Sequence, residues 1–354
     1  MKSQNKLILL TILLLWGLVA CRPGGPVQTV PEAGTATLLP TDTVPAPTPT
    51  PSPTPLPEQV LLVSAPAADF SGGARLQEAL QNLAVESGLE LNIVPSLTPQ
   101  ALGSEVRLVV VAPPGDNLAE LAAASPQTSF LAVGIPGLQA GGNLSVIGPQ
   151  GERPDLQGFL AGYIAAVITD DWRVGVIGLT DVPAGQAASQ AFLSGAEYFC
   201  GLCNPPFPPF AYPLLAELPA AAAASEWQAL ADDLTSTEKD VRTIYLAANA
   251  GGQDLISYLA GKNINLIGSQ LPPNEYKDRW AATVFADPLP ALETIWPELM
   301  NGSTGLEQPM PVGYNDVNPA IFSPGRQKLV DRLLQDLQAG LIDSGVDPLT
   351  GEAR

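Results

Sequence analysis

The chain has 354 residues, 46% hydrophobic and only 14% charged, with a formal net charge of −19 and no histidine. Such a charge lacks the basic patch that phosphate backbones demand, so nucleic acid is not an expected partner. Without histidine there is no Ser-His-Asp or Cys-His catalysis, no His-ligated zinc and no ordinary neutral-pH general base. Carboxylate or lysine chemistry stays open, but no G-x-S-x-G or metal-ligand spacing supports it. The expectation is a binding protein without cofactor or metal, not an enzyme. Lys2 and Lys6 then precede an apolar run from Leu7 to Trp16, the layout of a secretory signal. That run is too short for a comfortable membrane span of about 20 residues.

Leu18-Val19-Ala20-Cys21 resembles the lipobox of bacterial lipoproteins. The resemblance implies a signal peptide over 1–20, cut before Cys21, whose sulfur receives a diacylglycerol. The alternative is an ordinary signal cut near Ala20. Two or three acyl chains anchor stably where one binds marginally, which implies a lipid-anchored protein on the extracytoplasmic face of the cell membrane. Losing Lys2 and Lys6 with the signal takes the formal charge to −21, suited to a well-solvated surface outside the cell.

Residues 21–58 form a Pro/Thr-rich tether that finishes "PAPTPTPSPTPLP". It cannot bury a core and favours extended, polyproline-like backbone. At about 3 Å per residue it reaches roughly 100 Å.

From Glu58 the texture changes. Short apolar runs at 60–65, 90–94, 107–112 and 129–134 alternate with helical patterns, such as Leu76, Leu80 and Leu83 within 74–86. The rhythm resumes at 173–178, 241–247 and 263–268. Strands alternating with helices mean βαβ units and parallel sheets, and the length suits two α/β domains. In 153–178, Leu156, Phe159, Leu160, Tyr163, Ile164 and Val167 make a helical stripe, with Gly158, Ala161 and Gly162 letting neighbours approach. A buried strand follows Asp170-Asp171.

"QGFLAGYIAA", "RVGVIG" and "QAFLSGAEY", then "IYLAANAGGQDLISYLAGKNINLIGSQ" and "FSPGRQKLVDRLLQDLQAGLI", in that order resemble the basic-membrane-protein family. These are lipoprotein substrate-binding proteins of ABC transporters, related to PnrA-type nucleoside-binding proteins. The resemblance covers about 59–342. It implies a type I periplasmic-binding-protein fold, two Rossmann-like lobes with parallel sheets joined by three crossovers near 148–155, 269–276 and 310–318. The N-terminal lobe would hold 59–150 and 275–312, and the C-terminal lobe 151–274 and 313–354. An ABC permease is the implied partner, and a monomer the expected state. A surface ligand sensor without a transport role is the alternative.

In open parallel sheets the ligand crevice lies outside the carboxyl ends of the strands. The family clamps a purine between two rings, and the resemblance puts Phe70 and Trp227 at those positions. Either ring could instead pack in a core. The family's acidic and lysine grips on ribose are replaced around Ala65, Gly134, Gln270 and Ala286. Asp69, Asp116, Asp181, Asn249 and Gln270 remain to bond a ligand, although aspartates before helices also serve as N-caps. The expected ligand is a nucleoside-like or other flat, weakly charged heterocycle. Cys200 and Cys203 form an even pair in an oxidising compartment and are expected to make a small structural disulfide; a reduced pair or redox work are the alternatives.

Overall fold

Runs of Val, Leu and Ile too continuous for a one-sided strand fix the architecture, because such runs need burial on both faces of a parallel sheet. The computed structural model describes residues 57–64, 70–98, 102–201, 205–270 and 272–354, apart from the Cys200 side chain. The signal peptide, Cys21, the tether before 57, Asp69, Cys203 and the expected disulfide lie outside those residues.

Two six-stranded sheets result. The first contains β1 (Gln59–Val63), β2 (Glu90–Val94), β3 (Val106–Val111), β4 (Ser129–Val133), β5 (Leu144–Ile147) and β11 (Glu307–Gln308). Its order is β11-β5-β4-β3-β1-β2, parallel throughout. The second contains β6 (Val174–Leu179), β7 (Leu214–Leu218), β8 (Thr243–Leu246), β9 (Asn265–Gly268), β10 (Trp280–Ala286) and β12 (Val312–Asn315). Its order repeats the first, β12-β10-β9-β8-β6-β7, with β12 antiparallel to β10.

Helices cover both faces of each sheet. α1 (Gly73–Glu86) and α7 (Leu289–Met300) pack on one face of the first, and α2 (Leu118–Ala124) on the other. On the second sheet α3 (Pro154–Ile168), α4 (Pro183–Cys200) and α8 (Pro324–Gln338) share one core. α5 (Ala224–Leu234) and α6 (Gly252–Gly261) share the opposite one.

The chain passes from first sheet to second through 148–153, returns through 287–288, and crosses again through 309–311. The second passage corrects the sequence reading, which placed it near 269–276 and put 280–286 in the N-terminal lobe. All seven residues of β10 are buried, and the strand sits between β9 and β12 inside the second sheet. An apolar run such as "WAATVFA" reads the same in either sheet, and only its pairing decides. The short strand β5 also escaped the sequence reading.

α3 carries the predicted stripe but is buried almost all round. A Cβ on Gly158 would stand 2.0 Å from the Ala188 carbonyl oxygen, and one on Gly162 2.1 Å from that of Phe192. The small residues therefore let α3 and α4 pack backbone to backbone. At the start of α3 the Asp155 carboxylate is fully buried, bound by Arg153 (2.7 Å) and by the Ser344 hydroxyl (2.8 Å). The hydrogen bond to Asp155 raises the Arg153 pKa above its ordinary value despite the opposing effect of burial.

Candidate functional site

The order of each sheet places its first strand between the second and the third, the topological switch at which a crevice opens outside the carboxyl ends. In the first sheet a cavity of about 210 Å³ lies there, lined by Val63, Ser96, Leu97, Val111, Pro114 and Asp116. A cis peptide joins Pro113 to Pro114, and Asp116 follows exposed. In the second sheet a cavity of about 120 Å³ lies at the ends of β8 and β9, lined by Asn249, Gln253, Ser269, Gln270 and Trp280.

The ends of β8 and β9 are braced from behind. The buried Tyr245 hydroxyl meets the Ser269 hydroxyl at 3.1 Å, and Ser269 donates to the Leu246 carbonyl. Burial pushes the Tyr245 pKa up to about 12, so the phenol stays neutral. Trp280 Nε1 donates to Thr283 Oγ1 (2.9 Å), and Thr283 donates to the Gln270 carbonyl (3.3 Å). Asn249 takes positive φ (65°), tolerated by asparagine, and turns the chain out of β8 toward α6.

A hydrogen-bond junction joins the crossovers. The Glu152 carboxylate, in the first passage, accepts from the backbone N–H and from the hydroxyl of Ser71, both at 2.7 Å. Ser71 Oγ in turn accepts from the backbone N–H of Ala286, at the end of β10 (3.1 Å). Gly72 is required beside it, since a Cβ there would fall 2.6 Å from the Ala286 carbonyl oxygen. Arg75, in the first turn of α1, pairs with Asp316 (3.2 Å) and lies 4.2 Å from the Phe285 ring centroid. The loop before α1 and the carboxyl end of β10 therefore meet at one place, beside the first and second passages.

The predicted site residues divide. Asn249 and Gln270 come together in one cavity, and Asp116 lines the other. Asp181 is exposed after β6 and accepts from the Ala220 N–H (2.9 Å), tying together the loops that follow β6 and β7. Neither Asp116 nor Asp181 is an N-cap: Asn117 and Val182 hold those places. Phe70, 9% exposed, packs in the first core, where a Cβ on Gly134 would stand 3.1 Å from its ring and 3.3 Å from the Met310 methyl. Trp227 is 3% exposed and packs in the second core with Leu179, Tyr212 and Leu234. The expected pair of rings therefore does not face a ligand space; Trp227 is the buried apolar anchor of α5. Sequence reasoning missed Glu152 and Trp280, and found Ser71 only as the end of the loop after the first strand. Glu152 touches Ser71 across 81 positions, which no local spacing reveals.

A larger hollow of about 590 Å³ lies elsewhere, between α7 and α8 beside the first and third passages. Three of its polar side chains are already engaged: Gln338 donates to Val312, Thr294 to Pro290, and Arg153 to Asp155. The strand ends, where polar groups converge, are the better candidate site.

No family model matches this chain, and no curated protein matches it. Solved structures do. It is similar to an ABC transporter system solute-binding protein from Conexibacter woesei, with 17% identity and a TM-score of 0.59, covering 81% of this chain and 98% of that one. An ABC transporter system solute-binding protein from Aeropyrum pernix gives 15%, 0.58, 81% and 93%. A transcriptional activator of the comK gene from Bacillus halodurans gives 15%, 0.55, 80% and 98%. These likenesses, with the two repeated sheets, define the class: an α/β protein of the type I periplasmic-binding-protein fold. Among the described residues no helix is long and apolar enough to cross a membrane.

Proposed function

We propose that this protein is a lipid-anchored, extracytoplasmic solute-binding protein that takes a small molecule between its lobes and delivers it to an ABC permease. The observation that carries the reading is the junction of Ser71, Glu152 and Ala286, where the loop before α1 in the first lobe and the end of β10 in the second sheet meet at the passages between the sheets. Rotation about those passages opens and closes a cleft between the two sets of strand ends, the hinge motion on which such binders depend. The two solute-binding structures of the same fold support the reading. The lipobox-like Leu18–Cys21 supports the anchor, and the motif order through 59–342 supports the basic-membrane-protein family.

Asn249, Gln270, Asp116 and Asp181 are the proposed polar contacts, together with Asp69, which precedes Phe70 in the sequence. Phe70 packs in the first core and Trp227 in the second, and neither is proposed as a ligand contact. A nucleoside-like or other flat heterocycle remains the proposed ligand, as the motif resemblance implies. Calorimetric titration of the full chain with adenosine, guanosine, inosine and their bases tests this. One of them should bind at one site per chain, with Asn249→Ala or Gln270→Ala weakening it by about 0.5–1.5 kcal/mol, the value of one hydrogen bond. Binding that ignores both substitutions contradicts the site. A ligand sensor acting on gene expression or a membrane receptor is the second reading, favoured by the fold likeness to the comK activator. Copurification with a permease separates the two.

A further inference from the structure

The hollow of about 590 Å³ between α7 and α8 lies apart from the strand ends. Its size falls within the range of ligand pockets, about 300–1,000 Å³. Both lobes build it. Pro290 comes from the first turn of α7, Leu156 from α3 and Leu337 from α8, while Pro309, Met310 and Pro311 supply the third passage. Met310, 8% exposed, rests against the first passage at Gly148, where a Cβ would stand 2.8 Å from its own. The two passages thus form one wall.

Most polar groups of that lining are spent within the chain. The carbonyl of Pro149 accepts from Gly137 N–H (2.9 Å), that of Gln308 from Gly148 N–H (2.8 Å), and that of Pro311 from Asp287 N–H (2.8 Å). The prolines have no N–H to offer. Thr294 and Gln338 give side-chain donors to the carbonyls of Pro290 (2.7 Å) and Val312 (2.8 Å). Arg153 gives Nε and Nη2 to the two oxygens of Asp155 (2.8 and 2.7 Å), so a wholly buried carboxylate already cancels its charge.

Among the described residues of the lining, an anion therefore finds its one cation neutralised, and a cation finds only Glu307, exposed to water. Neither recovers its cost of desolvation there. An apolar molecule gains instead by removing the proline, leucine and methionine surfaces from water. The side-chain amides of Gln150, exposed, and Gln308, half-buried, suit one neutral hydrogen-bonding group.

We infer that this hollow is a second ligand site, for an uncharged and mainly apolar small molecule, whose occupant bridges the two lobes at their passages. The inference goes beyond the solute-binding reading and does not depend on it. Two dyes with one ring system test it: the neutral N-phenyl-1-naphthylamine, and 1-anilinonaphthalene-8-sulfonate, which adds a negative charge. Each is titrated by fluorescence into the full chain carrying Cys21→Ser, so that no acyl chain takes up dye.

The neutral dye should bind saturably at one site per chain. The sulfonate should bind about fivefold more weakly or worse, the scale of two like charges a few ångströms apart in water. Thr294→Trp places an indole in the hollow and should weaken the neutral dye about tenfold or more by a direct clash. Should that variant fail to fold, judged by its thermal midpoint, Pro309→Trp blocks the hollow from the exposed passage. The Asn249→Ala, Gln270→Ala double variant should bind the dye as the native side chains do. Hydrogen exchange with the neutral dye bound should slow over 148–153 and 307–312. The inference is overturned if the neutral dye does not saturate, if the sulfonate binds as tightly, or if the folded Trp variant binds unchanged. Loss of the dye in the double variant, or protection confined to other segments, overturns it equally.

Discussion

Trp227 shows how a residue can match a position in a pattern and still serve a different end. It follows an alanine run at the start of α5, where a clamp ring is expected, yet its indole is 3% exposed among Leu179, Tyr212 and Leu234. Trp227→Ala should therefore cost about 3–5 kcal/mol of stability, the scale of a large aromatic cavity. Chemical denaturation measures it, and the affinity of the folded variant for solute should be unchanged. A normal unfolding midpoint together with lost binding would return the ring to the cleft.

Glu217, on the edge strand β7, gives a second test at this scale. Its Oε1 is buried without a hydrogen-bond partner, and burial raises its pKa, offset in part by the nearby Ser189 hydroxyl. A carboxyl with a raised folded pKa costs nothing while protonated in both states. Stability is lost as pH rises from the ordinary glutamate range through the folded pKa. Glu217→Gln should thus match the native chain in acid and exceed it toward neutral pH, read as unfolding midpoints across that range. The gain is limited by the partial exposure of the residue. A constant difference across pH would assign the effect to something other than ionisation.

Among the elements, α3 and α4 carry the clearest physical demand. Gly158 and Gly162 permit backbone contact that any Cβ would block, at 2.0 and 2.1 Å from carbonyl oxygens. Gly162→Ala should force the helices apart and cost about 1–3 kcal/mol, the usual range for overpacking, despite alanine's better helix propensity. A stabilised variant in thermal unfolding would show that the helices have room to give. The elements were legible in sequence where periodicity was strong: α1, α3 and most strands fall within a residue or two of the apolar runs that announced them. β5, β11 and β12 were not recognised, and β10 was recognised but assigned to the wrong sheet. Pairing partners are a nonlocal property, and a run buried on both faces contains no mark of which neighbours bury it.

At the scale of the molecule, two α/β lobes were legible because the strand–helix rhythm repeats and the length exceeds one comfortable sheet. The site was legible only in part. Loops after strand ends can be found from the strands alone, which gave Asp116, Asp181, Asn249 and Gln270. The Ser71–Glu152–Ala286 junction joins three segments far apart in the chain and emerges only on folding. The proposed function requires that the strand ends of the two sheets together hold a small solute. Native mass spectrometry of the full chain, purified under mild conditions, tests it most directly against the Asn249→Ala, Gln270→Ala double variant. The account predicts a single noncovalent small-molecule adduct per chain, absent or greatly reduced in the folded double variant. A native chain that never carries or acquires a solute, or an adduct that survives both substitutions unchanged, would contradict it.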